Sequence, residues 1–417
     1  MFAKVKQIFN SKNRDLFKRI LFTLAALFIF KIGTTIIVPG VNVNTSGMSF
    51  LEIINAMSGG AFNNASIFAL GVTPYITASI VIQLLSADIV PYLSELSKQG
   101  GVGRRKLNQV TRIAGIALAF IQGYMYSYAY IGSGSAMDYM LYSLILAAGT
   151  ALLMWIGDQI TAKGVGNGIS LIIMAGIISV LPGMFKNLWV ELIAKGFLGI
   201  AIFTLFILVF IGIIVGIIYV ETAERRIPIQ YANKSTSTVG KQNYIPFKLN
   251  SAGVMPVIFA SALLSIPQII ASVIGNEKFT LFATKYLSYT NGTGFVLYIV
   301  LIFAFAYFYT FMQLKPKEMS DNLNKNGGYI PGIRPGEETV TYVKTVLKRI
   351  TVVGATFLTA LSVLPILFEH VSNLTTTIAI SGTGVLIAVG VALETFKQIE
   401  SQLVSNSYNK GRRGRRR

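Results

Sequence analysis

Side chains that usually perform catalysis are scarce in this sequence. Its 417 residues include no cysteine and one histidine, His370, which excludes thiolate chemistry and a histidine-based metal cluster. The sequence also lacks a Gly-Lys-Ser/Thr phosphate loop, a Gly-x-Ser-x-Gly nucleophile elbow and a His-Glu-x-x-His metal motif. We therefore predict no active site, no metal ion and no cofactor.

Charged side chains avoid the middle of the long apolar segments. Proton- or sodium-driven transporters usually keep an Asp or Glu inside the membrane, so this distribution disfavours a secondary transporter, the main alternative function. A lipid-handling membrane enzyme, the third alternative, would need clustered His, Asp or Arg at the interface. Lys31 is the only charge well inside an apolar segment, and snorkelling to the outer headgroups is its simplest interpretation. The acids nearest to the apolar segments lie at their ends: Glu52, Asp88, Asp138, Asp158, Glu221, Glu369 and Glu394.

The elements that must position any functional residue are membrane-spanning helices. Hydrophobic residues make up 53% of the chain and charged residues only 13%, whereas soluble domains carry about 25% charged residues. The apolar residues recur in blocks of about twenty, the length that crosses a ~30 Å hydrocarbon core. We predict an all-α polytopic membrane protein with ten spans, at residues 20–38, 66–87, 111–131, 139–157, 169–185, 197–220, 251–274, 294–314, 350–368 and 374–393.

The distribution of Lys and Arg predicts the orientation of these spans. Apart from Lys31, the basic residues outside the odd-numbered connections lie in the N-terminal tail, the even-numbered connections and the C-terminal tail. By the positive-inside rule, that side is cytoplasmic, and an even number of spans places both termini there. The odd-numbered connections contain only four basic residues: Lys186, Lys195, Lys278 and Lys285.

Three cytoplasmic segments have the composition of binding surfaces. The connections at 221–250 and 315–348 are long and combine Pro and Gly with several charges, and long structured connections usually carry function. The tail at 395–417 ends in "NKGRRGRRR", which favours contact with acidic lipid or RNA phosphate over folding.

The spans divide into two halves of five, residues 1–196 and 197–394. In each half the second span has Gly followed by Pro near its start, in "LGVTP" at 70–74 and "AGVMP" at 252–256. Corresponding kinked segments indicate an inverted repeat with the working site at the repeat interface. The alternative is coincidence, because Gly and Pro are common in membrane helices.

Two long motifs resemble the SecY family. The run "SIFALGVTPYITASIVIQ" at 66–83 is similar to the first family signature, and "WIGDQITAKGVGNGISLII" at 155–173 is similar to the second. Three further segments resemble later parts of the family, in the same order along the chain: "RRIP" at 225–228, "GIRPGEET" at 332–339 and "TVLKRITVVGATFLTALSVLP" at 345–365.

The resemblance implies the central protein-conducting channel of the Sec translocon. Such a channel passes unfolded secretory polypeptides across the bacterial plasma membrane and releases transmembrane segments laterally. Residues 57–69, here called the plug segment, would form a short plug helix inside the outer funnel. Its small and polar members are Ser58, Gly59, Gly60, Asn63 and Asn64.

The resemblance also implies a constriction of aliphatic side chains at mid-membrane, here called the ring. The pairs 72/76 and 173/177 each share one helix face, because residues four apart are neighbours on a helix. For any one of these residues, lipid-facing or helix-packing duty is the alternative. The ring would comprise Val72, Ile76, Ile173, Ile177, Ile258 and Ile387.

The remaining implied sites concern release and docking. Thr77 and Gln122 resemble polar members of the lateral gate, with helix packing as the alternative. Arg225, Arg226 and Arg334 lie on the two long cytoplasmic connections, which resemblance assigns to docking, with positive-inside topology as the alternative. The implied partners are SecE and SecG as a heterotrimer, the motor ATPase SecA, the ribosome, signal peptides, nascent chains and acidic membrane lipids.

Overall fold

The chain is mostly helical. The computed structural model describes residues 14–39, 55, 58–86, 89–131, 134–193, 196–231, 243–274, 277–287, 292–372 and 377–414. Its first seven helices are α1 (Arg14–Gly33), α2 (Thr73–Ser86), α3 (Pro91–Lys98), α4 (Gly100–Ile131), α5 (Ala136–Lys163), α6 (Gly168–Ile193) and α7 (Gly196–Thr222). Two strands follow, β1 (Glu224–Tyr231) and β2 (Asn243–Lys248).

The second part of the chain returns to helices after these strands. It comprises α8 (Met255–Ile274), α9 (Glu277–Phe282) with a π-helical turn at Ala283–Leu287, α10 (Gly292–Gln313), α11 (Pro316–Lys325), β3 (Gly328–Tyr329), α12 (Glu337–Ser372) and α13 (Thr377–Gly414).

A helix coincides with each of the ten predicted spans, and the second span begins as a series of turns before α2. In the described residues, five helices are individually long and apolar enough to cross a membrane. Helices suit these apolar segments because they satisfy the backbone hydrogen bonds that lipid leaves unpaired. The helices α4, α12 and α13 extend beyond the predicted spans into charged sequence.

Helix starts follow local sequence signals. Before α5, Ser135 forms a capping box: its Oγ accepts from the Met137 amide, and Asp138 Oδ2 accepts from the Ser135 amide at 3.0 Å. Pro91 and Pro316 begin α3 and α11, where a missing amide hydrogen has no cost. These signals place the starts of the three helices at the predicted connections.

The described chain forms two compact units. The first combines residues 1–207 with 269–276 and 374–417, and the second combines 208–268 with 277–373. The division into sequence halves at residue 197 stays a prediction.

In the first unit, α4 packs against α2, α3 and α5, and α6 packs against α1, α5 and α13. Glycine permits the closest approach, since a Cβ on Gly123 would lie 3.2 Å from the Ser143 Cα atom. The Ser143 hydroxyl donates across the same interface to the Phe120 carbonyl at 2.6 Å. Small residues at such contacts let membrane helices pack without a hydrophobic driving force.

In the second unit, a three-stranded antiparallel sheet of order β2-β1-β3 packs near α12. The register places Ile227 opposite Ile245 and Gln230 opposite Tyr329. Both long connections, 221–250 and 315–348, contribute strands, so these two connections form one module. Its buried core consists of Ile227, Phe247, Ile330, Val343, Leu347 and Ile350.

Candidate pore constriction and cytoplasmic docking surface

The plug segment is a chain of turns where a short helix was predicted. Residues 58–69 are turns with one isolated bridge at Ser66, Asn55 before them is helical, and Met57 lies outside the described residues. The reason is local: Gly59, Gly60 and Ala65 have φ angles of +73°, +86° and +44°. Each left-handed residue breaks the repeating amide-to-carbonyl pattern on which an α-helix depends.

The second half of the plug segment is fixed by backbone bonds to the residues that follow α1. The amide of Val38 donates to the Ala65 carbonyl at 3.1 Å, and the amide of Ile67 donates to the Ile36 carbonyl at 3.1 Å. Phe68 stacks against Phe30 at a centroid distance of 6.3 Å. We call residues 65–69 the root of the plug segment.

The first half of the plug segment is buried against α6. We call residues 58–60 the head. Ser58 is fully buried, and its hydroxyl accepts from the Phe62 amide at 3.3 Å. A Cβ on Gly59 would lie 3.1 Å from the Gly176 Cα atom, so the head touches α6 directly beside Ile177. Asn63 and Asn64 are exposed.

Two side chains from different helices converge on the head. The Lys31 ammonium donates to the Gly59 carbonyl at 3.3 Å, and the Ser179 hydroxyl lies 3.3 Å from the same oxygen. The Lys31 nitrogen therefore contacts protein backbone although the side chain is exposed, and snorkelling to lipid headgroups stays a prediction. Sequence reasoning missed this contact, and the isolated charge in an apolar helix was the signal that could have found it.

All six predicted ring residues are buried. In the first unit, Val72 is 1% exposed and Ile76 is 8% exposed, and the Ile76 amide donates to the Val72 carbonyl at 3.1 Å. Burial excludes a lipid-facing role for them in this structure. The others are Ile173, Ile177 and Ile387 in the first unit and Ile258 in the second.

The structure brings two predicted ring helices into contact. A Cβ on Gly384 of α13 would lie 3.0 Å from the Ile177 Cγ2 atom of α6. Gly384 precedes Ile387 by one helical turn, so these two ring residues lie on helices that pack closely. That the six residues form one constriction stays a prediction.

The predicted lateral-gate residues lie on adjacent helices. Thr77 belongs to α2 and Gln122 to α4, and these two helices pack side by side in the first unit. Both side chains are half-buried, and the Thr77 hydroxyl donates to the Thr73 carbonyl of its own helix at 3.1 Å. The gate role of both residues stays a prediction.

The three arginines predicted to dock partners lie on the module. Arg225 and Arg226 are exposed on β1, where buried Ile227 and Ile229 alternate with exposed residues. This alternation was the sequence signal for a strand, and Pro228 obscured it because proline is rare in central strands. The proline is tolerated because β3 pairs only with residues 230–231, which leaves one side of β1 open beside it.

Neighbouring groups hold Arg226 in place. Its Nε donates to Glu224 Oε1 at 2.7 Å, and its guanidinium lies 4.8 Å from the centre of the Tyr244 ring. The hydrogen bond to Glu224 raises the pKa of Arg226 above its ordinary value. The side chain remains a permanent cation on an exposed strand.

Arg334 occupies a stiff tip before α12. Gly332 and Gly336 flank it with φ angles of +82° and +107°, which favour glycine. The Arg334 amide donates to Glu338 at 3.4 Å and its carbonyl accepts from Thr339 at 2.9 Å, while the side chain is exposed. Beside it lies an open groove of about 430 Å³, lined by Gly332, Ile333, Glu337, Glu338, Thr341 and Tyr342.

Comparison with solved structures defines the class of fold. The chain superimposes on a structure described as a protein conducting channel with a TM-score of 0.67, at 18% identity and 93% coverage of both chains. It also superimposes on Sec61 from a canine ribosome-channel complex with a TM-score of 0.65, at 18% identity and 93% coverage of both chains. The fold is that of a protein-conducting channel.

Sequence comparison then gives the family. The SecY family model matches residues 66–396. The chain is 47% identical to protein translocase subunit SecY of Staphylococcus aureus strain NCTC 8325, over 97% of this chain and 98% of the relative. It is 45% identical to the same subunit of Bacillus subtilis, over 94% and 96%. The chain belongs to the SecY family.

Proposed function

We propose that this chain forms the protein-conducting channel of a bacterial Sec translocase. Unfolded secretory polypeptides cross the plasma membrane through it, and transmembrane segments leave it laterally past Thr77 and Gln122. The observation that carries the proposal is the contact of the plug head with α6, where Gly59 meets Gly176 beside the buried ring residue Ile177. A segment lodged there obstructs a passage lined by aliphatic side chains.

The chemistry of the ring suits a seal that yields to a chain. An aliphatic constriction returns too few hydrogen bonds to the water it confines, so it dewets and blocks ions. Aliphatic side chains form no hydrogen bonds or ion pairs that would have to break, so they rotate aside when an extended polypeptide enters. The ring therefore seals without recognising a particular sequence.

The cytoplasmic module supplies the docking surface in this proposal. Arg225, Arg226 and Arg334 present exposed guanidinium groups, which bind phosphate or carboxylate in a bidentate manner. Such groups suit both ribosomal RNA and acidic patches on the motor ATPase SecA. Ribosome binding gains support from the canine Sec61 structure, which shares the fold and comes from a ribosome-channel complex.

The proposal also includes the assembly and its orientation. The channel associates with SecE and SecG, acidic lipids contact its basic cytoplasmic side, and both termini lie in the cytoplasm. The channel itself performs no catalysis, and ATP hydrolysis belongs to the motor. The distribution of Lys and Arg between the odd and even connections supports this orientation.

Reconstitution tests the proposed function directly. The chain, purified by mild solubilisation with its co-purifying subunits, is placed in proteoliposomes with SecA, ATP and a preprotein that carries a signal sequence. We expect protease-protected preprotein that depends on ATP and on the signal sequence. Uptake of a small solute without any protected preprotein would instead establish a transporter.

A further inference from the structure

Lys31 is a charge inside an apolar segment that the proposed transport mechanism does not use. Its ammonium donates to the Gly59 carbonyl at 3.3 Å. The Ser179 hydroxyl lies 3.3 Å from the same oxygen and 2.8 Å from the Gly176 carbonyl, so it shares one proton between two acceptors. Lys31 is therefore the stronger donor to the head, and Ser179 is the weaker one.

Glycine at position 59 makes this convergence possible. Its φ of +73° turns the backbone into a conformation that other residues rarely adopt. A Cβ there would lie 3.1 Å from both the Gly176 Cα atom and the Ser179 Oγ atom. Glycine thus allows the carbonyl of the head to reach the surface of α6 and the end of α1 together.

The head and the root are held by different kinds of contact. The root is fixed by backbone bonds to the short extended stretch after α1, at Ile36 and Val38. Among the described residues, the hydrogen bonds that reach the head from other helices come from the side chains of Lys31 and Ser179. The Gly60 amide donates to the Asn55 carbonyl at 2.8 Å, which ties the head only to the chain just before the plug segment.

We propose that Lys31 and Ser179 form a latch that holds the plug head in the closed position. This inference rests on the proposed function, in which the plug segment seals the channel. The Lys31 side chain is exposed, and the Gly59 carbonyl gives its ammonium a protein acceptor while the head is seated. When the head leaves, the Lys31 ammonium loses this acceptor.

Cysteine labelling measures the position of the head. The chain has no natural cysteine, so Ser58→Cys introduces one buried reporter next to Gly59. A membrane-impermeant maleimide is applied from the outer side, and the labelling rate is compared in the parent, in Lys31→Gln and in Ser179→Ala. We expect Lys31→Gln to raise the rate by roughly tenfold, the order of effect of losing a hydrogen bond to a charged group. Ser179→Ala should raise it by about threefold, because its proton is shared.

Conservative variants separate the latch from a general loss of structure. Lys31→Arg retains a cationic donor and should keep the parental rate. Lys18→Gln removes an exposed charge at the other end of α1 and should also leave the rate unchanged. Thr204→Ala removes an exposed hydroxyl that bonds only within α7 and serves as the control for Ser179→Ala. If Lys31→Gln does not accumulate in membranes, the labelling rate of Ser179→Ala alone tests the latch.

The outcomes distinguish the latch from the proposed function. Deletion of residues 58–64 is measured in parallel for ion leak through the resting membrane. If the deletion leaks but Lys31→Gln and Ser179→Ala label at the parental rate, the latch is wrong and the channel account stands. If the deletion itself does not leak, the sealing role of the plug segment fails, and the latch fails with it.

Discussion

The plug segment and the module are both connections between helices, yet they are stabilised in opposite ways. The plug segment has no regular secondary structure across 58–69 and is buried mainly against helices of the first unit. The module has three paired strands and its own apolar core with α12. A segment held by its surroundings moves without unfolding them, whereas a module with its own core keeps its shape when a partner binds. The difference suits a displaceable seal and a rigid docking surface.

The largest expected effect comes from removing the displaceable part. Deletion of residues 58–64 removes the buried head and should leave the chain inserted, because the surrounding helices keep their own packing. Resting membranes should then leak ions by at least tenfold more than the parent, since the ring alone must seal the channel. The measurement is conductance of purified channels in planar bilayers. Conductance at the parental level would mean that the segment does not seal.

A cavity in the module core should have the next largest effect. Phe247→Ala removes a side chain that is 1% exposed, and such truncations cost about 3–5 kcal/mol. We expect rapid proteolysis of β1 and β2 in membrane vesicles and loss of SecA-driven export, while the membrane helices remain inserted. Tyr244→Ala on the same strand is the control, because that side chain is 44% exposed. Equal protease resistance of the two variants would show that the module has no independent core.

The sequence predicted the membrane helices well because a long apolar segment in lipid must satisfy its backbone hydrogen bonds internally, and a helix does so. It missed the strands of the module, whose alternation of buried and exposed residues is short and interrupted by Pro228. The turns of the plug segment depend on the left-handed conformation of Ala65, which its residue type does not favour. The contact between Lys31 and Gly59 joins residues far apart in the chain, so tertiary structure was needed to find it.

A smaller effect on translocation is expected from a substitution at the surface of the module. Arg334→Glu reverses an exposed charge at the stiff tip without opening the module core, so the channel should insert normally. SecA-driven translocation in inverted vesicles should fall by roughly tenfold, because a charge pair to the motor becomes a repulsion. Lys325→Glu, also exposed on the same connection, is the control and should change the rate by less than about twofold. If Arg334→Glu translocates at the parental rate, Arg334 does not bind the motor and contributes only to the orientation of the chain in the membrane.

The most direct measurement of the central claim uses the ring. Replacement of Ile76, Ile173, Ile177 and Ile258 together by Ser supplies hydrogen-bonding partners for water and removes bulk, whereas replacement of the same residues by Val keeps the ring apolar. Ion flux and export of a reporter with a defective signal sequence are measured on both variants. The account predicts that the Ser variant passes small ions and exports the reporter more efficiently than the parent, while the Val variant remains sealed. Selective loss of transport of one small solute, with ion flux and export unchanged in the Ser variant, would contradict a protein-conducting channel.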